Sequence, residues 1–560
     1  MKNRRFWLVL ILSIFLIGLL LLFISCGNPI RQFNPNTPTI VSVFPENQAN
    51  IPKLDILVTA TFNKAMNAST ISTSSFSLSS PTGSVAGTVS YEAIGKMATF
   101  KPAANLAADT TYTATISDSV RSSSGDKINL PYSWSFTTST STITGTPDAS
   151  FGSGGMVIIN GCEEGNALAT DSFGRILVAG SSGSTSDFKY HMTVWRYNSD
   201  GTPDGSFGSG GMSKQNGSAA GGRSDAIFHD NVTSIVLTSD NKILVLGLSY
   251  DPNEKIIMVV WRLNPDGSLD TSFKSSGIWL NPGPTIAGQA CSSVTIDDTG
   301  KMLAVGTVTI PATVPSPADL YYMIVSRYNP DGTLDKSFSD GTHEGYSIYP
   351  GEGSAVTIDI NQKILVIGSV RENAASSSGI RVWWVNSDGK LEQTFDASDN
   401  NANGMFKIDS SGAILFGGLI YGSGPAIWKF NPDLNLDTTF GQGGIVHFGG
   451  EPNERVGPPV FIALDAAGRI LATRTKVILT RIEYSTDHFK YYIESSRLNS
   501  NGTTDESFGS NGKIIYPDYS PPEDMGLESM GITTDLYRRI LVLGKSIQGS
   551  STPVTIFRYK

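Results

Sequence analysis

The side chains best suited to chemistry in this sequence are oxygen ligands repeated at a fixed spacing. The pattern Asn-x-Asp-Gly-x-x-Asp, as in Asn264 to Asp270, spaces its side-chain oxygens as calcium loops do. It lacks the downstream glutamate that completes such a loop, and Asn and Asp are also the residues that turns prefer. The pattern therefore predicts turns rather than a metal site. The histidines fall in different parts of the chain with no shared spacing, which also argues against a metal: His191, His229, His343, His447 and His488.

Acid–base pairs and reactive thiols are few. Glu163 and Glu164 are adjacent, so on a strand their carboxylates would face opposite ways, and paired carboxylates act together only when held close. Cys162 and Cys291 are either separate thiols or a disulfide. These residues predict no catalytic site and no cofactor.

One insertion has an aromatic character that suits binding. It carries Tyr484, His488, Phe489, Tyr491 and Tyr492 within a short stretch. These five residues form the candidate binding loop, because aromatic rings offer large contact area to a ligand. The alternative is that the rings simply extend two strands and pack on each other.

The N-terminus carries a targeting signal. Three basic residues precede the apolar run Phe6 to Ile24, which is typical of an export signal. The stretch Phe23-Ile24-Ser25-Cys26-Gly27 resembles the bacterial lipoprotein box. That resemblance implies a signal peptide at 1–25, a diacylglycerol on the Cys26 thiol, and a short tether at 26–37 that joins the protein to a membrane. The alternative is an uncleaved transmembrane anchor. Gly27 after the cysteine favours an outer-membrane or cell-surface destination, by resemblance to lipoprotein sorting.

Composition narrows the class of protein. A chain of 560 residues is too long to fold around a single hydrophobic core, so its length predicts two or more domains. Charged residues make up 16%, while 58 Gly and 28 Pro separate short runs of Val, Ile, Thr and Tyr, as in an all-β chain. The net charge of −9 offers no basic surface for nucleic acid, and three Cys exclude a disulfide scaffold.

Residues 38–138 alternate in polarity like a β-sandwich of about seven strands. Val58, Ala60 and Phe62 point one way, and the same period of two recurs at Trp134 and Phe136. The stretches Val43-Phe44-Pro45, Ala60 to Met66 and Trp134 to Thr138 resemble the SbsA-type bacterial Ig-like domain, which implies a spacer module. Met66 and Phe62 are predicted to lie in the core of this domain. Residues 139–145 are predicted to be a linker.

Residues 146–560 contain three elements that each occur seven times. The first is Asp/Glu-x-x-Phe, the second a hairpin such as Ala169 to Val178, and the third a strand such as Val194 to Asn198. The phenylalanines of the first element are Phe151, Phe207, Phe273, Phe338, Phe395, Phe440 and Phe508. Each repeat is therefore predicted to be four antiparallel strands: two from the hairpin, one from the third element and one at the phenylalanine. A single sheet cannot cover both its faces, so neighbouring repeats must stack.

The points within a repeat at which the region begins and ends favour a closed ring of repeats. The region opens with a Phe element lacking its hairpin and ends at Tyr559, where the next Phe element would follow. Pairing of the first and last strands would close a seven-bladed β-propeller, with a linear β-solenoid as the alternative. The repeats resemble the delta-60 family, as in Gly267 to Phe273, which implies a propeller-like fold in exported bacterial proteins. In a propeller, the strand before each hairpin turn would line the central channel. Five copies of this strand were compared, and none contains a charged residue: 168–170, 234–236, 294–296, 356–358 and 462–464.

Arginines recur at one repeat position. They are Arg196, Arg262, Arg327, Arg497 and Arg558. They could form a ring of cations, but we expect each to bind the Asp of its own Phe element. The repeats differ from one another mainly in insertions, where binding residues are expected: 181–190, 214–231, 309–320, 474–491 and 520–530.

The sequence favours a non-enzymatic surface lipoprotein. In this reading the Ig-like domain is a spacer that presents the propeller to a protein or glycan ligand. The alternative is a propeller enzyme acting on glycans, a hydrolase or lyase, with carboxylates from loops such as Glu163-Glu164 or Asp518.

Overall fold

The structure is a computed structural model that describes residues 37–560 with gaps. The gaps are residues 46, 48, 52–55, 93–95, 129, 139–143, 185–188, 216–229, 239, 251–255, 275, 282–288, 311–319, 360–361, 371–378, 398–399, 410, 421–423, 434, 450–452, 456, 458–459, 466–467, 484–485, 517–524, 536–538 and 548–552. The signal peptide 1–25, Cys26, nearly all of the tether, His229, Tyr484 and Asp518 lie outside the described residues. The chain divides into two compact parts, mainly between residues 135 and 136. Within the described ranges, no helix has the length and apolarity needed to span a membrane.

The N-terminal strands form a β-sandwich. They are β1 (Ile40–Phe44), β2 (Ala49–Ile51), β3 (Val58–Phe62), β4 (Phe76–Ser80), β5 (Gly83–Ser84), β6 (Gly87–Glu92), β7 (Met97–Pro102), β8 (Thr111–Ile116) and β9 (Tyr132–Thr138), with a 3-10 turn at Ala68–Thr70. One sheet has the order β1-β3-β7-β6 and the other β2-β9-β8-β4-β5. The two strands beyond the predicted seven are β2 and β5, which are too short for alternation to reveal them.

The alternating apolar residues form the sandwich core. Val58, Ala60 and Phe62 are at most 1% exposed, and Met66 is 5% exposed. The Phe76 ring lies 5.9 Å from both Phe100 and Trp134. Apolar packing between these side chains therefore joins the two sheets, and the predicted core positions Phe62 and Met66 are buried.

The remaining strands form the repeat region. After β10 (Met156–Ile159), repeat 1 comprises β11 (Glu164–Thr170), β12 (Ile176–Ser184), β13 (Lys189–Tyr197) and β14 (Met212–Gln215). Repeat 2 comprises β15 (Asn231–Leu237), β16 (Ile243–Tyr250), β17 (Ile256–Leu263) and β18 (Ile278–Asn281). Repeat 3 comprises β19 (Gln289–Ile296), β20 (Met302–Ile310), β21 (Leu320–Tyr328) and β22 (Tyr346–Pro350). Repeat 4 comprises β23 (Glu352–Ile358), β24 (Ile364–Val370), β25 (Gly379–Val385) and β26 (Leu391–Ala397). Repeat 5 comprises β27 (Asn400–Ile408), β28 (Ile414–Ile420), β29 (Gly424–Phe430) and β30 (Ile445–His447).

The last strands join in one larger sheet. Repeat 6 comprises β31 (Glu454–Arg455), β32 (Phe461–Leu464), β33 (Ile470–Glu483), β34 (Thr486–Leu498) and β35 (Lys513–Tyr516). Repeat 7 comprises β36 (Met525–Thr534), β37 (Ile540–Ile547) and β38 (Val554–Tyr559), and β10 pairs with β38. Repeats 1 to 5 are separate four-stranded antiparallel sheets, whereas a short parallel contact between β34 and β36 links repeats 6 and 7.

In six of the seven repeats, the phenylalanine lies outside the strand expected for it. Phe207 closes a turn in which its amide donates to the Asp204 carbonyl, and the outer strand starts only at Met212. Asp204 Oδ1 also accepts from the Ser206 amide at 2.9 Å, which holds the turn. Only Phe395 of repeat 4 lies within its outer strand among the seven.

Apolar packing covers both faces of each sheet. The clusters lie between consecutive repeats, as where Leu177 and Phe207 of repeat 1 pack with Trp261 of repeat 2. A cluster joining Val178 of repeat 1 to Leu543 of repeat 7 continues the series across the two ends of the region. Burial on both faces explains the unbroken Ile-Leu-Val runs.

The first strands of the repeats lie side by side. We call β11, β15, β19, β23, β27, β32 and β36 the channel strands. Each contacts the next in this order, and β36 contacts β11.

Both ends of the repeat region meet. β10 pairs with β38 from Met156 opposite Phe557 to Ile159 opposite Val554. Thr144 and Gly145, from the segment predicted as a linker, complete a turn with Lys560 without a covalent bond. The Lys560 amide donates to the Thr146 carbonyl at 2.8 Å, and the Gly145 amide donates to the Lys560 carbonyl. The same two bonds join Asn198 to Thr202 and Gly201 in repeat 1.

Candidate functional site

The repeats present two different faces. On the short-turn face, compact turns join the first strand to the second and the third to the Phe element, as at 171–175 and 198–202. On the long-connection face, the second strand joins the third, and the outer strand leads to the next repeat. The described strand ends place all five predicted insertions on the long-connection face: 181–190, 214–231, 309–320, 474–491 and 520–530.

Carboxylates on the short-turn face serve the turns. Asp266 Oδ1 accepts from the Ser268 hydroxyl at 2.6 Å and from its amide at 2.9 Å, and the hydroxyl bond in particular lowers the pKa of Asp266. Asp171, Asp409 and Asp465 also accept backbone amides through their side-chain oxygens. The described ranges hold no group of three or more His, Cys, Asp or Glu side chains that could bind a metal.

The repeated arginines form clamps between neighbouring repeats. Arg196 Nε lies 2.8 Å from Asp204 Oδ2, and its guanidinium lies 4.4 Å from the centre of the Phe207 ring. Its Nη1 also donates to the Pro265 carbonyl in the turn of repeat 2. The bridge to the Asp of the same Phe element recurs at Arg262, Arg327, Arg497 and Arg558, so that prediction is confirmed. Arg262, Arg327 and Arg558 likewise donate to a backbone carbonyl of the next repeat, so these clamps tie neighbouring sheets together rather than form a ring of free cations.

The candidate binding loop is a β-hairpin longer than its counterparts. β33 and β34 pair from Ile470 opposite Leu498 to Glu483 opposite Thr486, on the long-connection face. Phe489 and Tyr491 are half-buried with ring centroids 6.4 Å apart. His488 and Tyr492 are also half-buried in β34, so four of the five predicted residues lie along one strand. The insertion therefore extends two strands, the alternative that the sequence left open.

A buried ion network lies at the base of this hairpin, and sequence reasoning missed it. Arg474, 2% exposed, occupies the position where repeat 1 has Gly180. Its Nε lies 2.9 Å from Glu494 Oε1, and its Nη1 binds Glu454. Burial alone would lower the pKa of Arg474, but the carboxylates of Glu494 and Glu454 raise it above its usual value. Lys513 Nζ lies 3.7 Å from the other oxygen of Glu494.

This network explains why the channel strand of repeat 6 is divided. A Cβ on Gly180 would lie 1.8 Å from the Glu164 carbonyl oxygen, so a continuous first strand leaves no room for a side chain there. In repeat 6 the first strand is split into β31 and β32, and Arg474 reaches Glu454 of β31. The break in the first strand thus provides the space that the Arg474 side chain occupies. The signal in the sequence is the loss of the hairpin glycine.

The candidate acids of the alternative enzyme do not converge with other carboxylates in the described residues. Glu164 is 43% exposed and its Oε1 lies 3.6 Å from Lys545 Nζ. Cys162 is a buried free thiol whose pKa is raised, mainly by burial and further by Glu163. This arrangement favours neither a disulfide at Cys162 nor an acid–base pair.

The channel strands are not free of charge, which corrects the sequence comparison. Lys407 lies in β27 opposite Leu415, just as Ala169 lies opposite Leu177 in repeat 1. The comparison omitted repeats 5 and 7, and the hairpin of repeat 5 lacks the Lys or Arg that the other hairpins carry. Aligning Ile414-Leu415 with Ile176-Leu177 would have found this lysine.

Family comparisons support two kinds of domain. Residues 34–138 match the model of a bacterial Ig-like domain. Residues 174–207, 238–273, 299–338 and 410–440 match the model described as a domain of unknown function (DUF5122) beta-propeller. No curated protein matches the chain. The chain thus combines an Ig-like domain with a β-propeller architecture.

Several solved structures are similar over much of the chain. A protein of unknown function from Dyadobacter fermentans is 12% identical, with a TM-score of 0.35, covering 60% of this chain and 95% of its own. The β-propeller domain of the Trilobed protease from Pyrococcus furiosus is 12% identical, with a TM-score of 0.36, covering 70% of this chain and 94% of its own. A Trypanosoma rangeli sialidase is 8% identical, with a TM-score of 0.35, covering 72% and 59%. Similarities at this level say nothing about activity.

Proposed function

We propose that this protein is an exported, lipid-anchored surface protein that binds a protein or glycan. The Ig-like domain spaces a closed seven-bladed propeller from the membrane, and the long-connection face of the propeller holds the ligand. The protein has no catalytic role in this proposal.

Three features support closure of the ring. β10 completes the sheet of repeat 7, the channel strands contact one another in cyclic order, and Thr144 and Gly145 stand in for the turn after β38. Closure leaves no repeat with an uncovered apolar face. A rigid ring is a suitable base for a binding surface made of loops.

The extended β33–β34 hairpin is the observation that carries the binding proposal. The Arg474 network braces its base, and Phe489, Tyr491 and Tyr492 are half-buried, so part of each ring remains reachable. Aromatic side chains on a rigid strand lose little entropy on binding and provide both apolar and polar contact. Both protein and glycan ligands use such surfaces.

A binding screen with hairpin variants tests this proposal. The full chain is applied to a glycan array and to intact bacterial cells, beside Phe489→Ala/Tyr491→Ala and the control Tyr132→Ala, an exposed aromatic of the sandwich. We expect the hairpin variant to lose about 2 kcal/mol of binding free energy or more, about 30-fold in affinity, and the control to retain it. Unchanged binding by the hairpin variant contradicts the proposal, and hydrolysis of an arrayed glycan would favour the enzyme.

The anchor is tested separately. Lipidation of Cys26 predicts that cells expressing the full chain incorporate labelled palmitate and that Cys26→Ala abolishes the label. The matched control Cys162→Ala, at a buried thiol, should keep it. Label retained in Cys26→Ala would contradict the lipid anchor.

A further inference from the structure

Lys407 is the one Lys or Arg in the seven channel strands. It lies in β27 opposite Leu415. In the other six strands, the residue opposite the matching leucine is small or β-branched: Ala169, Val236, Thr295, Thr357, Ala463 and Thr533. Seven equivalent positions therefore form one level of the ring, and only one of them is charged.

The amine of Lys407 has no partner within the described part of the chain. Its side chain is half-buried and forms no hydrogen bond or ion pair there. Directly paired residues point to the same side of a sheet, so Lys407 shares a face with Leu415, which packs against Val460 and Ile462 of repeat 6. Burial lowers the pKa of Lys407, and no acid counters the effect. An ammonium group in this setting is costly unless an anion accompanies it.

Acids of the other channel strands lie at other levels. Glu164, Glu352 and Glu528 stand opposite Ser181, Ser369 and Lys545, four residues along the second strand from the leucine level. At about 3.3 Å per residue this is about 13 Å away, beyond the Debye length of about 8 Å in physiological salt.

The acids beside the short turns are already engaged. Asp409 lies 3.9 Å from Lys429 Nζ, and Asp465 lies 2.7 Å from Arg469 Nε. Neither is therefore available to neutralise Lys407.

We propose that Lys407 is the centre of an oxyanion-binding site between the channel strands, which takes one carboxylate or phosphate group of a ligand. An ammonium binds both groups as a point charge. The site is separate from the hairpin surface and goes beyond the binding function proposed above.

Reductive methylation of the full chain tests the site without a substitution. Formaldehyde and cyanoborohydride methylate accessible amines, and mass spectrometry follows Lys407 beside Lys214, an exposed lysine on outer strand β14. The reaction is run with inorganic phosphate, sodium glucuronate or glucose, each sugar as its non-reducing methyl glycoside because a free sugar aldehyde would itself react with amines, at equal ionic strength set with sodium chloride. At about ten times the dissociation constant, about nine-tenths of the sites are occupied, so methylation of Lys407 should slow about tenfold while that of Lys214 is unchanged.

The outcomes separate the ligand sources. Protection by both anions supports a general oxyanion site, and protection by one alone identifies carboxylate or phosphate as its ligand. Equal methylation of Lys407 with phosphate, glucuronate and glucose overturns the proposal.

Variants give a second readout. Phosphate should raise the thermal unfolding midpoint of the wild type and of Lys214→Met, but not that of Lys407→Met. A full phosphate shift in Lys407→Met would also overturn the proposal. Phe489→Ala/Tyr491→Ala should keep the protection at Lys407, so failure of the hairpin proposal and failure of this one are distinguishable.

Discussion

At the scale of the residue, the Asp270 carboxylate of a Phe element is held between two cations and a hydroxyl. Asp270 Oδ2 lies 2.7 Å from Arg262 Nε and 2.9 Å from Lys242 Nζ, and Oδ1 accepts from the Ser272 hydroxyl at 2.6 Å. Burial alone would raise the pKa of Asp270, but the bonds from Ser272 and Lys242 and the charge of Arg262 lower it to about 2. The ionised form is therefore part of the clamp.

Asp270→Asn should destabilise the protein in a pH-dependent way. The folded pKa of about 2 lies below the unfolded value of about 3.9, so ionisation stabilises above about pH 3.9 and this contribution is lost as the pH falls toward 2. We expect the variant to lose about 2 kcal/mol of unfolding free energy near pH 7. Urea denaturation should show this difference shrinking below about pH 4. A constant difference across that range, or an equal loss in Asp298→Asn at an exposed position, would contradict this account.

At the scale of the element, the extended hairpin depends on a charge network that no other repeat provides at its glycine. Arg474→Gly restores the residue of repeat 1 but leaves Glu494, 1% exposed, without its closest cation. We expect a loss of about 3–5 kcal/mol of unfolding free energy and faster hydrogen exchange in β33 and β34. Chemical denaturation and exchange mass spectrometry measure the two effects.

Further variants distinguish the cost of burying an unpaired carboxylate from the cost of losing the Arg474 side chain. Adding Glu494→Thr and Glu454→Gln to Arg474→Gly should recover most of the loss, because no carboxylate then stays buried without a cation. Lys363→Met breaks a pair whose side chains are 38% exposed and should cost less than about 1 kcal/mol. If the triple variant is no more stable than Arg474→Gly, the network does not act through charge.

Local patterns predicted the strands, turns and clamps because those features depend on neighbours in sequence. The Gly267 turn, with φ of 85°, and the bridge from Arg262 to Asp270 each lie within one repeat. The Glu454–Arg474 pair joins a connection to a strand and has no counterpart in other repeats, so repetition could not reveal it. Lys407 was missed for the opposite reason, since only alignment of every repeat makes one lysine stand out. The Phe element was placed in a strand because its turn, held by Asp204, has no apolar alternation to mark it.

At the scale of the whole molecule, joining the two ends of the repeat region can be tested covalently. Ile158 of β10 lies opposite Thr555 of β38, and Ile158 is 61% exposed. Opposed residues of antiparallel strands have Cα atoms about 4.5–5.5 Å apart, within the range that a disulfide spans. Ile158→Cys/Thr555→Cys should therefore oxidise readily, whereas Ile158→Cys/Tyr321→Cys, which joins β10 to repeat 3, should not.

The bond would close a loop containing nearly all the repeats. Such a cross-link mainly restricts the unfolded chain, and a loop of this length should add about 4 kcal/mol or more to the unfolding free energy. The thermal midpoint of the oxidised variant should rise and return to that of the wild type on reduction. A ring closed at this seam should also unfold cooperatively across its repeats, since opening the seam uncovers the apolar faces of repeats 1 and 7 together. Failure of the cysteines to pair, or an unchanged midpoint after they do, would mean that the seam is not part of the stable ring.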